Sequence, residues 1–191
     1  TGQGYFWATL LLSATLMSHL VYGYMAFLTL GLLAFVPIAP TTFDKSLALG
    51  ILQHWKRLIV LFVLVVSVTL YFIIPFVLDQ EHFANINFNQ TTRDSFGHGV
   101  ILEALVKGNL FDINRIPVFS ILVVAGIGVC IFNRHKTYYL IPLFIIVFWL
   151  LLFFGRATWG PVIDLLPFSQ TIHMHRFIGG VHLGGIMVAG I

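Results

Sequence analysis

The sequence predicts an all-α membrane protein, a polytopic helical bundle of about five spans accompanied by amphipathic helices at the membrane interface. Hydrophobic residues make up 59% of the 191 residues, charged residues make up 9%, and the mean hydropathy is +0.96. A soluble domain has roughly a quarter charged residues, so this composition indicates a chain built for lipid. The apolar residues form long runs with polar breaks between them, and each run is a candidate membrane span.

The first run, residues 6–36, is longer than a membrane helix needs to be. As one helix it would measure roughly 45 Å, against about 30 Å for the hydrocarbon core. Its middle contains Ser18, His19 and Gly23. The run is therefore either one steeply tilted helix or two shorter helices broken at this point, and Pro37 and Pro40 are expected to end it.

The second span, residues 58–78, follows an amphipathic stretch for which Thr42 and Asp44 are candidate N-caps. In that stretch apolar residues recur at helical spacing, as in a helix that lies in the interface and runs on into the span. These apolar residues are Phe43, Leu47, Ile51, Trp55 and Leu58.

A polar segment, residues 79–115, comes next and contains one predicted short helix in DSFGHGVILEALVKGN. Asp94 or Ser95 is its expected N-cap, and Gly108 is its expected C-terminal stop. Asp112 and Arg115 are three residues apart and are expected to pair at the start of the third span.

The third and fourth spans, residues 116–132 and 138–154, are joined by the tight turn NRHK. A second polar loop, residues 155–176, leads to the fifth span, residues 177–191. That span holds only about 15 residues where about 20 are needed. We therefore expect the sequence to be an internal piece of a longer chain, with residues 1–191 forming part of one transmembrane domain.

The charged residues divide unevenly among the loops. The short loops 37–57 and 133–137 hold one acid, Asp44, and five basic residues, namely Lys45, Lys56, Arg57, Arg134 and Lys136. Because cytoplasmic loops are rich in Lys and Arg, the short loops are expected in the cytoplasm. Loops 79–115 and 155–176 are then both extracytoplasmic, where they can meet.

The stretch TIHMHRFIGGVHLGG contains three histidines, His173, His175 and His182. Their spacings of two and seven residues place no three on one face of a helix or strand. A metal site would need two of them with ligands from elsewhere, drawn from Asp94, His98 and Asp164. We favour interfacial histidines that hydrogen-bond to water and backbone, and we assign no metal site.

Haem ligation is not expected either, because it would require paired histidines on facing helices. Within the predicted spans, His19 is the only other candidate.

Arg156 and Arg176 flank the second outer loop, with Trp159 between them. A guanidinium at a helix end can bind an anion bidentately, so this arrangement is typical of a site for a phosphate with a lipid tail. The alternative is two ordinary interfacial arginines with buried stems. No basic patch with interleaved aromatic residues indicates nucleic acid.

Five polar residues of the two outer loops are candidates to support such a site: Asp94, His98, Asp112, Arg115 and Asp164. Asp94 or Glu103 could form an acid–base pair with Asp164, but their spacing does not require one. Gly180 and Gly184 form a small-residue face, which predicts close packing against other spans or against other membrane subunits.

Several stretches resemble the bacterial membrane proteins labelled 6-pyruvoyl-tetrahydropterin synthase-related, a label that does not describe their chemistry. The most specific parts are GNLFDINRIPV, GRATWG and HMHRF, and LLLSATLMSHLVYGYMAFLTLGLLAF is similar as well. That family is similar to the glycosyltransferase-C superfamily, polytopic proteins that take sugars from polyprenyl-phosphate donors. They act at the outer face of the bacterial plasma membrane.

The resemblance implies that the catalytic acid lies upstream of Thr1, often near a divalent cation, and that this piece handles the lipid phosphate. Arg176, with Arg156, His173 and His175, would then bind that phosphate. Two alternatives remain open. One is a non-enzymatic accessory or structural subunit of a larger membrane complex, and the other is a redox subunit that contains haem or copper.

Overall fold

The computed structural model describes residues 2–36, 45–79 and 93–191, and these residues contain helices and turns but no β-strand. The predicted all-α fold class is therefore confirmed for them. The α-helices are α1 Gly2–Ser18, α2 Leu20–Leu33, α3 Lys45–Leu78, α4 Gly97–Val106, α5 Asn109–Asp112, α6 Val118–Phe132, α7 Thr137–Phe153, α8 Arg156–Trp159 and α9 Ile178–Ala189. Two 3-10 helices, Gly160–Leu165 and Met174–Phe177, lie between α8 and α9.

The chain forms two compact units, Thr1–Asn87 and Phe88–Ile191. In the first unit the apolar run 6–36 is two helices rather than one, broken at His19, whose backbone is extended (φ −163°, ψ 113°). A Cβ added to Gly23 would lie 2.8 Å from the Cα of Leu16. The absence of a side chain at Gly23 therefore lets α2 approach α1 closely. Pro37, Pro40, Thr42, Phe43 and Asp44 lie outside the described residues.

The predicted amphipathic stretch and second span form the single helix α3. Its part Leu49–Leu78 is the one described helix that is long and apolar enough to cross a membrane by itself. Helix α7 passes the same test only together with Arg156–Leu165, and that pair bends by 75°. Helix α6 has 15 residues, roughly 22 Å of helix, which is shorter than a hydrocarbon core of about 30 Å. The arrangement of five spans is therefore not established and stays a prediction.

In the second unit, α9 packs closely on α6 and α7 through glycines. A Cβ added to Gly184 would lie 2.7 Å from the Cα of Ile146, and one added to Gly180 would overlap the ring of Trp149. Gly180 and Gly184 thus form the expected small-residue face, and the helix that covers them is α7 of this chain.

Two local predictions in this unit are wrong. Helix α4 begins after Phe96 without a side-chain cap, because Ser95 has φ +68° and donates its hydroxyl to the carbonyl of Phe153 at 2.6 Å. Asp112 caps α6 instead of pairing with Arg115. Its carboxylate accepts the N–H groups of Phe119 at 3.0 Å and Ser120 at 2.9 Å. The predicted stop at Gly108 is confirmed, with φ +75°.

Candidate functional site

The loops before α4 and after α7 meet, as expected if both lie at one end of the bundle. The Ser95 hydroxyl reaches the Phe153 carbonyl, and the backbone N–H of His98 donates to Thr158 Oγ1 at 2.8 Å. Between these contacts, Gly155 has φ +65°, and an added Cβ would lie 2.6 Å from the Cβ of Ser95. Glycine is therefore required where the two loops touch.

Arg156 is the residue on which these loops converge. Its side chain is only 15% exposed, and it lies 3.5 Å from Asp94 (Nη1 to Oδ1) and 3.8 Å from Asp164 (Nε to Oδ1). Its Nη2 also donates to the carbonyl of Ser169. The contact with Asp94 is an ion pair without hydrogen-bond geometry, because Nη1 is buried and finds no acceptor among the described residues. Arg156 is thus largely neutralised within the protein.

A chain of polar side chains runs from this arginine to Arg93 in the loop before α4. Asp164 Oδ1 accepts hydrogen bonds from Ser169 Oγ at 3.1 Å and from Gln170 Nε2 at 2.8 Å. The other end of the Gln170 amide, Oε1, accepts from Arg93 Nη2 at 3.5 Å. Gln170 therefore links the Arg156 ion pairs to the exposed guanidinium of Arg93.

The segment that follows Gln170 contains buried apolar side chains with half-buried basic side chains between them. Ile172, Met174 and Phe177 are buried, and the ring of Phe177 lies 5.4 Å from that of Trp149. The side chains between them are half-buried, namely His173, His175 and Arg176. The apolar anchors therefore fix the backbone that presents the basic residues.

We call Arg93, His173, His175 and Arg176 the basic cluster. The two imidazole rings stack with centroids 6.0 Å apart and planes 30° apart. A 3-10 turn holds Arg176 against them, and its N–H donates to the carbonyl of His173 at 3.1 Å. Partial burial lowers the pKa of His173 most, and the positive charges of Arg176, His175 and Arg93 lower it further. Arg176, His175 and Arg93 thus each place a basic group close enough to His173 to affect its pKa.

The structure brings together most of the residues predicted for the site. Asp94, Asp164 and Arg156 form the ion pairs, and His173, His175 and Arg176 form part of the basic cluster. Trp159 lies three residues after Arg156 in the chain, and it donates its Nε1–H to the carbonyl of Leu151 at 2.7 Å.

Three predicted residues take other positions. His98 is exposed, with Nδ1 3.2 Å from Thr158 Oγ1. Asp112 and Arg115 belong to the corner between α5 and α6. Hydrogen bonds from Ser120 and from the backbone hold the pKa of Asp112 below its ordinary value. This is the behaviour of a helix cap, because the bonds stabilise the charged carboxylate.

Two members of the site were not among the predicted residues, Arg93 and Gln170. Arg93 precedes Asp94 directly in the sequence, and a basic residue in a loop that meets residues 155–176 was a usable signal. Gln170 gave no such signal, because a lone glutamine in a loop resembles any other polar surface residue.

No metal site was assigned from the sequence, and His182 lies apart from the other two histidines. Its Nε2 donates to the carbonyl of Leu110 at 2.9 Å, and its ring contacts that of Phe111. Across residues 2–36, 45–79 and 93–191, no group of three or more His, Cys, Asp or Glu residues is arranged to hold a metal ion.

The second unit also contains an open apolar cleft of about 540 Å³. Its walls are formed by the end of α4 with α5, and by α6, α7 and α9. Lys107 and Ser120 contribute polar groups to a surface that is otherwise apolar, including Val123, Ile146 and Val181. Such a cleft suits a hydrocarbon chain better than a polar ligand.

Comparison of the chain with protein-family models, with curated proteins and with solved structures finds no match.

Proposed function

We propose that this chain is the membrane domain of a glycosyltransferase-C-like protein, and that its basic cluster binds the phosphate of a polyprenyl-phosphate-linked sugar. The observation that supports this most is the convergence of two arginines and two histidines on one anchored turn. Several basic groups at one place attract an anion together more strongly than any one of them does alone.

The chemistry of the cluster favours a phosphate among anions. A guanidinium presents paired N–H donors that match two phosphate oxygens, and a protonated imidazole adds further donors. When the sugar leaves the donor, negative charge on the phosphate increases, and fixed positive groups stabilise that change. The cluster would thus act on the leaving group and would not supply the catalytic acid that the family resemblance implies.

The role that we assign to Arg156 differs from the one suggested by its sequence position. Because two carboxylates already surround its guanidinium, we propose that Arg156 holds the loops together and does not bind the phosphate. Arg93 replaces it as the second phosphate-binding arginine. The hydrogen bonds through Gln170 and Asp164 would keep Arg93 in position.

The tail of such a donor needs an apolar surface, and the cleft between α6, α7 and α9 provides one in the same unit. We place the chain in the bacterial plasma membrane as a multi-pass protein, with loops 79–115 and 155–176 outside. Support comes from the apolar helix Leu49–Leu78 and from the basic residues in the short loops.

The test is binding of a polyprenyl-phosphate-linked sugar to the chain in lipid nanodiscs. Arg176→Ala and Arg93→Ala should each weaken binding about ten- to hundredfold, because each removes a charge-assisted hydrogen bond worth about 1.5–3 kcal/mol. Arg115→Ala is the matched control for Arg93→Ala, since both are exposed arginines of loop 79–115, and the Arg115 variant should keep the affinity of the parent protein.

Unchanged binding by Arg176→Ala, in protein that still inserts and folds, would overturn the proposal. Stoichiometric co-purification with other membrane subunits, without any binding of the lipid-linked sugar, would favour an accessory subunit instead.

A further inference from the structure

The segment that follows α7 runs across the end of the helix. Helix α7 and the segment Arg156–Leu165 are bent by 75° relative to each other. The bend occurs at Gly155, whose positive φ is readily adopted only by glycine. If α7 crosses a membrane, this segment lies close to the plane of the membrane surface.

The segment has two different sides. Ile163 is only 3% exposed, and Asp164 faces Arg156, Ser169 and Gln170 through the contacts described above. The opposite side is apolar and open, because Val162 is 57%, Leu165 86% and Phe168 74% exposed. In a 3-10 helix residues three apart lie in line, so Val162 and Leu165 form one ridge, and the exposed Phe168 follows three residues further along the chain.

The backbone of Phe168 has a conformation that residues other than glycine rarely adopt. Its φ is +60°, which is unfavourable for a residue that is not glycine. The hydroxyl of Thr171 donates to its carbonyl at 2.9 Å, and so the turn is closed behind it. Phe168 is 74% exposed in this turn.

Polar and charged groups beside the ridge match the surface of a membrane. Trp159 is 37% exposed and has its Nε1–H bonded to the protein, and tryptophan is enriched at membrane–water interfaces. Arg93 is hydrogen-bonded to Gln170, two residues after Phe168. The contact with Gln170 thus brings a positive charge to the loop that carries the ridge, and a positive charge there is complementary to acidic lipid headgroups above acyl chains.

We propose that Val162, Leu165 and Phe168 form a membrane-interface anchor that inserts into the outer leaflet of an anionic bilayer. The anchor rests on the membrane placement in the proposed function. It goes beyond that placement by assigning a lipid contact to the loop that leads into the basic cluster. Insertion of the ridge would hold the cluster at the depth of the lipid phosphates.

The experiment measures the depth of single labels in the whole chain, reconstituted in vesicles of phosphatidylcholine and phosphatidylglycerol. Leu165→Cys and Phe168→Cys each receive a bimane fluorophore, and the quenchers are brominated lipid and aqueous iodide. Cys130 is buried, so unsubstituted protein controls for background labelling. Thr171→Cys is the matched polar control, three residues beyond Phe168, and Val63→Cys in α3 reports on a span.

We expect brominated lipid to quench the labels at 165 and 168, and iodide to quench the label at 171. If the label at 63 is quenched by brominated lipid while those at 165 and 168 respond only to iodide, the anchor is overturned and the membrane placement stands. If none of the labels responds to brominated lipid, the membrane placement fails together with the anchor.

Discussion

Arg156 touches two carboxylates and a carbonyl, which come from two different loops of the second unit. A buried ion pair contributes little net stability, because desolvation offsets the attraction between the charges. Removing one partner has a larger effect, since the remaining charges are left without compensation. The importance of Arg156 is therefore best tested by what its loss does to Asp94 and Asp164.

We predict that Arg156→Met destabilises the protein by about 2 kcal/mol, less than for a fully buried pair because both carboxylates keep contact with water. The measurement is the thermal unfolding midpoint in detergent. Arg134→Met is the matched control, because Arg134 lies exposed in the turn between α6 and α7, and its midpoint should change little. An equal midpoint for Arg156→Met and the parent protein would show that the ion pairs do not hold the loops.

The pKa of His173 makes anion binding dependent on pH. Burial and the neighbouring Arg176, His175 and Arg93 lower that pKa below 6.5, so the folded chain binds a proton less readily than the unfolded chain. In the free protein, the contribution of neutral His173 to the free energy of unfolding is therefore complete above about pH 6.5. It is lost as the pH falls through the lowered pKa, because the unfolded chain takes up the proton first. A bound anion has the opposite effect, because it favours protonated His173.

We predict that phosphate-lipid binding tightens roughly three- to tenfold as the pH falls from about 8 to about 5.5. His173→Gln should flatten this dependence, whereas His98→Gln, at an exposed histidine outside the basic cluster, should retain it. The measurement is the dissociation constant across the pH series. A slope that is unchanged in His173→Gln would remove His173 from the binding site.

Residue-level predictions from the sequence were right where one residue determines the outcome, and wrong where a distant partner does. Gly108 ends α4 because a left-handed conformation suits glycine, and this requires no knowledge of the fold. Ser95 was expected to cap α4 but binds the carbonyl of Phe153, which is 58 residues away. No local pattern contains that contact, and the same holds for the link from Gln170 to Arg93.

At the scale of helices, glycines determine how closely α9 approaches its neighbours. The face of Gly180 and Gly184 was predictable because small residues four apart are a known packing signal. Gly126 and Gly128 in α6 are two residues apart and do not form this pattern. The sequence therefore does not distinguish them, although their surroundings in the structure differ. A Cβ at Gly126 would overlap the carbonyl of Val188, while a Cβ at Gly128 would meet nothing within 4 Å.

We predict that Gly126→Ala destabilises the packing of α6 on α9 by about 1–3 kcal/mol, since the contact is with rigid backbone and cannot be relieved by a rotamer change. Gly128→Ala in the same helix should be neutral or stabilising by up to about 1 kcal/mol, because alanine favours helix over glycine. Thermal midpoints of the two variants in one detergent are the comparison. Equal midpoints would mean that α9 does not approach α6 as closely as described.

At the scale of the whole molecule, composition predicted the helical class, but the number of spans did not follow from hydropathy alone. The sequence left open whether run 6–36 is one helix or two, and the extended backbone of His19 divides it into two. The third apolar run forms a helix of only 15 residues, which is short for a membrane span. Hydropathy averaged over a window of about 19 residues registers neither the break nor the helix length.

The loops before α4 and after α7 lie at one end of the second unit, and the turn between α6 and α7 lies at the other. Contacts of Ser95 with Phe153 and of Arg93 with Gln170 bring the loops before α4 and after α7 together, whereas the turn 133–136 is separated from them by the lengths of α6 and α7. The two ends therefore lie on opposite sides if α6 and α7 cross a membrane.

We expect Thr171→Cys to react with a membrane-impermeant maleimide in intact spheroplasts. His135→Cys, in the basic turn, should react only after lysis, because basic short loops remain in the cytoplasm. The buried Cys130 of the parent protein should stay unlabelled in both cases. Equal labelling of positions 171 and 135 in intact spheroplasts would show that α6 and α7 do not separate the two ends across a membrane. The outer location of the basic cluster would then be wrong, whichever ligand it binds.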